Sequence, residues 1–300
     1  MESQTVKTTE APSQLVSAVL QQAARRLLSA GIESGALDAE ILLGHVLDRR
    51  REQIIAMGNT LLDETQTEAY ETVLTRRLMR EPTAYIIGGR EFWSLDLDVT
   101  PDVLIPRPET ELLVEIALVL LKESPSARAR IVDVGTGSGA IAIALASELT
   151  NAEIIATDVS TEALSMAGRN AVKNGVAGRI RLAAGDPFAA LAPGDLVDLI
   201  VSNPPYIRRR DIDSLAPEIS RWEPRGALDG GWDGLDYYRR MAAEAPGWLL
   251  PGSAIAVEIG AAMSERVTML FQAAGWTEIE TYHDYAQQER VVVARKAGAH

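Results

Sequence analysis

"RIVDVGTGSGAIAIALASEL" occupies residues 130–149. Its start, "RIVDV", is β-branched and apolar, the mark of a buried strand. Glycines at 135, 137 and 139 then turn the chain, and an alanine-rich apolar run follows as a helix. Gly135 and Gly137 allow a tight turn, and Gly139 lets a ligand or the sheet come close to the helix. The next apolar run, "AEIIATD", ends in Asp158. A carboxylate at that strand end accepts both hydroxyls of a ribose. With Ala140 the loop also satisfies the dinucleotide fingerprint. It therefore indicates an adenosine-containing cofactor without saying which one. Asp158 competes with Ser160 for the N-cap of the helix that follows.

Downstream, strands and helices alternate. "RIRLAAGD", "LVDLIVSN", "SAIAVEIG", "TEIETYHD" and "ERVVVAR" are further strands, and "TEALSMAGRNAVKNG", "GLDYYRRMAAEAPGWLL" and "SERVTMLFQAAG" are helices. Seven strands with interleaved helices predict an α/β fold, a doubly wound sheet. The short link between the last two strands makes them antiparallel to each other. Upstream, residues 15–80 read as helices. "LVSAVLQQAARRLLSAG" repeats apolar residues three and four apart, and "ALDAEILLGHVLDRR" does the same with Asp38 as its expected N-cap. "DETQTEAYETVLTRRLMR" is the next helix and stops before Pro82. Between the two regions, Gly88-Gly89 marks a turn and "FWSLDLDV" alternates, which predicts a β-hairpin. The expected domains are a helical bundle at 1–83, a hairpin linker at 84–107 and the sheet domain at 108–300.

Composition narrows the functions. The chain has 300 residues, 47% of them apolar, enough to bury a core in each domain. Its net charge of −13 disfavours nucleic acid as the main partner, although "RRRE" at 49–52 and "RRR" at 208–210 are locally basic. Cysteine is absent, which excludes disulfides, thiolate metal sites and cysteine nucleophiles. His45, His283 and His300 are scattered, so no metal site is expected. The start lacks an apolar signal core, and no run approaches the ~18 apolar residues of a membrane span. A cytoplasmic monomer is the expectation.

"SNPPYI" at 202–207 carries the chemistry. In a doubly wound sheet, ligands sit at the carboxyl ends of the strands, and Asn203 ends the strand expected beside the glycine loop. Pro204 and Pro205 hold the chain extended and stiff. That leaves the Pro204 carbonyl and the Asn203 side-chain carbonyl as two acceptors, beside the flat face of Tyr206. Together they receive a planar group bearing NH2. Such a nitrogen is a poor nucleophile because its lone pair is delocalised. Two acceptors can turn it toward a reactive geometry and stabilise the charge that develops as it attacks. Neither a metal nor a covalent enzyme intermediate is required.

These motifs resemble the class I S-adenosylmethionine-dependent methyltransferases, and more closely the HemK/PrmC family of peptide chain release factor N5-glutamine methyltransferases. The resemblance spans nearly the whole chain: "DAEILLGHVL", "EPTAYIIGGREFWSLDLDVTPDVLIPRPETELLVE", "DVGTGSGAIAIALA", "LIVSNPPYI", "EPRGALDGGWDGLDYYRR" and "VEIG". It implies S-adenosylmethionine as methyl donor and the glutamine of a Gly-Gly-Gln loop in release factors as acceptor. It also implies cofactor-binding roles for Gly135, Thr136, Gly137, Ser138, Gly139, Asp158 and Asn203, with Asp186 and Phe188 flanking the adenine. Asn203, Pro204, Pro205 and Tyr206 then hold the substrate glutamine, and Asn203, Pro204 and Tyr206 serve catalysis. The small helical domain is assigned to substrate recognition. Two departures stand out: "EIGAAM" lacks the family's usual Gln, and "DYAQQERVV" lacks its usual Gly before the last strand.

Other candidates are Arg107 and Glu109, which either line the site or pair and cap the following helix. Arg208, Arg209 and Arg210 read as a solvated loop or a grip on a protein substrate. His45 reads as a core or surface histidine, and Trp93, Trp222 and Trp232 as packing or ligand contacts. The competing functions are a ribosomal-protein glutamine methyltransferase, an N6-adenine-type nucleic acid methyltransferase, a nicotinamide oxidoreductase and a non-catalytic adaptor.

Overall fold

The computed structural model describes residues 15–122, 128–185, 191 and 196–298. The chain divides into two compact units, Met1–Ile87 and Gly88–His300.

The first unit is helical: α1 (Val16–Ser29), α2 (Gly35–Leu47), α3 (Arg51–Ala56), α4 (Glu64–Leu78) and the short α5 (Thr83–Ile87). Leu27, Leu42, Leu43, Ile54 and Leu74 form its core. The Tyr70 hydroxyl donates to the Ala39 carbonyl at 3.0 Å. Asp38 is not the N-cap of α2. It lies buried within the helix, accepts from Arg77 Nε at 2.8 Å and takes the Ser34 hydroxyl. A buried carboxylate needs such a cation, and that need overrides the capping preference. Residues 84–87, expected within the hairpin segment, belong to α5 instead.

The second unit opens with a hairpin, β1 (Gly89–Phe92) and β2 (Leu95–Asp98). Its turn is Trp93-Ser94, at φ 54° and 56°. Two positive φ values in a two-residue loop match the twist of the flanking strands, so "FWSLDLDV" folds back instead of running as one strand. The buried Asn170 clamps this hairpin by accepting the Asp98 N–H and donating to the carbonyls of Asp98 and Ser138.

The remaining strands are β3 (Arg130–Val134), β4 (Glu153–Asp158), β5 (Ile180–Ala184), β6 (Val197–Ser202), β7 (Leu249–Glu258), β8 (Thr277–His283) and β9 (Glu289–Arg295). They form one seven-stranded sheet in the order β5-β4-β3-β6-β7-β9-β8. β9 runs antiparallel to both its neighbours, and the other pairings are parallel. Alternate residues feed two cores. Ile131, Ile154, Leu199, Ala256 and Val293 face one side, while Val132, Ile155, Ile200, Ile255 and Val292 face the other. The helices are α6 (Glu111–Lys122), α7 (Ala140–Glu148), α8 (Thr161–Lys173), α9 (Pro217–Ser220), α10 (Asp236–Glu244) and α11 (Ser264–Ala273). α6 and α7 pack on the first side, and α10 and α11 on the second. The segment "GWLL" leaves helix at Gly247, and its two leucines begin β7. Among the described residues, no helix is long and apolar enough to cross a membrane.

Candidate active site

Register brings the site together. Val134 lies opposite Thr157 on one flank and Ser202 on the other, so β3, β4 and β6 end side by side. Gly135, Asp158 and Asn203 follow within one residue of those positions. All three line one pocket with Gly137, Pro204, Pro205 and Tyr237.

The glycine loop is held from below. The N–H groups of Gly135 and Thr136 both donate to the Thr157 carbonyl at 2.9 Å. Gly135 and Gly137 take φ 73° and 56°, and a side chain on either would meet open space. Glycine is required there by backbone conformation. At Gly139 a steric limit joins a positive φ of 86°. A Cβ would stand 2.9 Å from Ile143 Cδ1 of α7 and 3.1 Å from Ala167 Cβ of α8, so this glycine lets the two helices come close. Asp158 accepts the Gly137 N–H through one oxygen and the Ser160 N–H through the other, each at 2.9 Å. Ser160 caps α8 by accepting from Ala163 N. Ser138 and Thr136 are buried, and the Thr136 hydroxyl donates to Asp133 Oδ2 at 2.7 Å. Among the described residues, Asp133 Oδ1 has no hydrogen-bond partner, and burial pushes this carboxyl up to about 7. Asp186 and Phe188 lie outside the described residues.

The loop after β6 is braced from two sides. Ile207 exchanges hydrogen bonds with the 228–230 segment, from its N–H to the Leu228 carbonyl and from the Gly230 N–H to its own carbonyl. A Cβ at Gly230 would fall 2.8 Å from Tyr206 Cα, and one at Gly260 would fall 2.8 Å from Tyr206 Cδ2. These approaches give "DGGWDG" and "EIG" a physical role: they admit the Pro205–Tyr206 backbone and the tyrosine ring. Burial raises the Tyr206 hydroxyl above its ordinary value, with nearby Glu258 adding to the effect, so the ring stays neutral.

Asn203 is anchored through its nitrogen. Nδ2 donates to Thr110 Oγ1 at 3.1 Å, and Thr110 Oγ1 donates to Glu258 Oε2 at 2.6 Å. Among the described residues, no donor reaches Asn203 Oδ1 or the Pro204 carbonyl. Two acceptors thus stand beside the glycine loop. Thr110 and Glu258 were not singled out from sequence, although "IPRPETE" and "VEIG" contain them.

The other candidates lie elsewhere or have partners. Arg107 pairs with buried Glu223 at 2.6 Å, and Glu109 is exposed. Burial raises the Glu223 carboxyl, and Arg107 pulls it back. Arg208 and Arg210 face Asp211, and Arg209 faces Asp229. His45 is exposed. Trp93 donates to Glu148, Trp222 is half-buried, and Trp232 is 80% exposed. In the departing turn, Gln287 sits at φ 59°, a conformation that glycine adopts at less cost.

Two family models match the chain, the PrmC N-terminal domain over residues 18–88 and the methyltransferase small domain over 110–219. A release factor glutamine methyltransferase of Rhodospirillum rubrum is 40% identical over 281 residues, covering 94% of this chain and 85% of that protein. One from Bordetella pertussis is 46% identical over 255 residues, 85% of this chain and 93% of the relative. The hMettl16 catalytic domain shares the fold, with a TM-score of 0.56 at 16% identity, over 71% of this chain and 80% of that one. At 40–46% identity over most of its length, the chain belongs to the release factor glutamine methyltransferase family.

Proposed function

We propose that this chain transfers a methyl group from S-adenosylmethionine to the side-chain amide nitrogen, N5, of the glutamine in the Gly-Gly-Gln loop of peptide chain release factors. One observation supports this above the others. Asn203 and Pro204 offer two acceptors beside the glycine loop, and the Asn203 nitrogen is tied back to Thr110.

The residues present fit the cofactor. Gly135 and Gly137 leave open space where side chains would stand. Asp158 follows at the end of β4 to take a ribose. When bound, S-adenosylmethionine supplies an electrophilic methyl on a positively charged sulfur.

The chain's own residues do the rest. Asn203 Oδ1 accepts one amide hydrogen of the substrate glutamine, and the Pro204 carbonyl accepts the other. Tyr206 packs against the amide plane. Held at both hydrogens, the nitrogen turns its lone pair toward the methyl, and the two carbonyl dipoles face the charge that develops on it. With the cofactor bound, its methyl would pass to the amide nitrogen as the C–S bond broke, and the nitrogen would release one proton to water. The helical unit contributes to recognition of the protein substrate, and the cytoplasm is the compartment that fits a release factor. The test is mass spectrometry of a recombinant release factor incubated with the chain and S-adenosylmethionine. One added methyl on the loop glutamine supports the reading, and an unmodified glutamine overturns it.

A further inference from the structure

We propose that Thr110 and Glu258 are positioning residues for methyl transfer, which together decide that the oxygen, and not the nitrogen, of the Asn203 carboxamide faces the substrate amide. This rests on the reading of Asn203 as a hydrogen-bond acceptor. A carboxamide has nearly the same shape when turned end for end. Turned the wrong way, Asn203 would offer N–H donors to the NH2 of the substrate, donor against donor. Shape alone therefore does not set the geometry. The partner behind the side chain must do so.

That partner is Thr110, whose single hydroxyl proton is committed to Glu258 Oε2 at 2.6 Å. Toward Asn203 the oxygen then presents only lone pairs, so it accepts and does not donate. Nδ2 satisfies it at 3.1 Å. A turned carboxamide would set Oδ1 against those lone pairs. Thr110 is 4% exposed and Glu258 1%, so solvent is largely excluded from the relay. Both ends are anchored. Thr110 N–H donates to the Arg107 carbonyl just ahead of α6, and the Tyr238 hydroxyl donates to the Glu258 carbonyl at 2.7 Å.

Direction in the relay depends on the charge of Glu258. Burial pushes its carboxyl up to about 7, the Thr110 hydroxyl and Arg290 lower it, Glu109 raises it and Arg107 lowers it. Tyr206 and Tyr238, the other titratable groups beside it, have hydroxyls raised by burial and stay neutral. Once protonated, Glu258 can donate to Thr110. The threonine proton is then free to turn toward Asn203, and the wrong orientation loses its penalty. The productive orientation is accordingly favoured above neutral pH and eroded below it.

The test is single-turnover methylation of a recombinant release factor at saturating S-adenosylmethionine by the full chain and its variants. Thr110→Val is expected to slow transfer about tenfold, the scale of one net hydrogen bond, with cofactor affinity unchanged. Thr110→Ser restores the rate. In an Asn203→Ala background, Thr110→Val adds no further loss, because the carboxamide it orients is gone. Additive losses in the double variant, or a wild-type rate for Thr110→Val, would overturn the relay and leave the role of Asn203 standing. A wild-type rate for Asn203→Ala would overturn that role and the relay with it. Should Thr110→Val fail to fold, Glu258→Gln reads the same relay. It is expected to be slow above neutral pH and to lose the rise in rate with pH near neutrality. A pH–rate profile identical to wild type overturns the proposal.

Discussion

Asn203 and Thr110 are 93 residues apart in the chain and meet through a 3.1 Å hydrogen bond from carboxamide nitrogen to hydroxyl. The bond joins the loop after β6 to the turn ahead of α6. It ties the Asn203 nitrogen back and leaves its oxygen without a donor among the described residues.

At the cofactor end, Asp158→Ala is expected to weaken S-adenosylmethionine binding by about 1–3 kcal/mol, the scale of charge-assisted hydrogen bonds. The substitution also frees the Gly137 N–H that Asp158 now holds. Titration calorimetry measures it, and unchanged affinity would show that the carboxylate does not hold the ribose.

Gly260→Ala places a methyl 2.8 Å from Tyr206 Cδ2 and 3.0 Å from Met263 Sδ. Overpacking of this kind costs about 1–3 kcal/mol. Urea denaturation should show that loss of stability, and turnover should fall further than cofactor affinity if the displaced ring packs against the substrate amide as proposed. An equal loss in both would place the disturbance elsewhere.

Stability should fall as pH rises toward neutrality. Burial pushes Asp133 and Glu258 up to about 7. From the ordinary carboxylate range up to that value, the folded chain keeps protons that the unfolded chain has released. Their contribution is complete at acid pH and lost as pH rises through about 7. Denaturation at about pH 5 and about pH 8 should differ by about 1–3 kcal/mol in favour of the lower pH. Glu258→Gln should remove part of that difference. A wild-type chain more stable at the higher pH would contradict the assignment.

A chain beginning at Gly88 should bind S-adenosylmethionine and methylate an intact release factor poorly. That unit carries the glycine loop, Asp158 and Asn203 together with its own cores. Full activity of the truncated chain on the intact protein would remove substrate recognition from the helical unit.

The sheet was legible because its central strands are buried on both faces and read as short apolar runs, "RIVDV" and "LVDLIV" above all. The glycine loop and the strand-end positions of Asp158 and Asn203 followed from that reading. The hairpin turn was not legible, because Trp93 and Ser94 adopt positive φ without glycine. Asp38 looked like a helix cap because capping is local, whereas its pairing with Arg77 is tertiary. The same reason hid Thr110 and Glu258. Each sat in a selective motif, but nothing local to either shows that they stack behind Asn203. The reason for glycine at 230 and 260 was hidden likewise, because the Tyr206 backbone and ring that press on them come from a distant segment.

The most direct test is the single-turnover rate of methyl transfer to the release factor glutamine at saturating S-adenosylmethionine, for the wild-type chain and for Asn203→Ala. The account predicts a fall of ~10²–10³, the scale for losing one preorganised polar group at a reacting centre, with cofactor affinity within a few fold of wild type. A wild-type rate for Asn203→Ala would contradict it and reduce the tetrapeptide to scaffold.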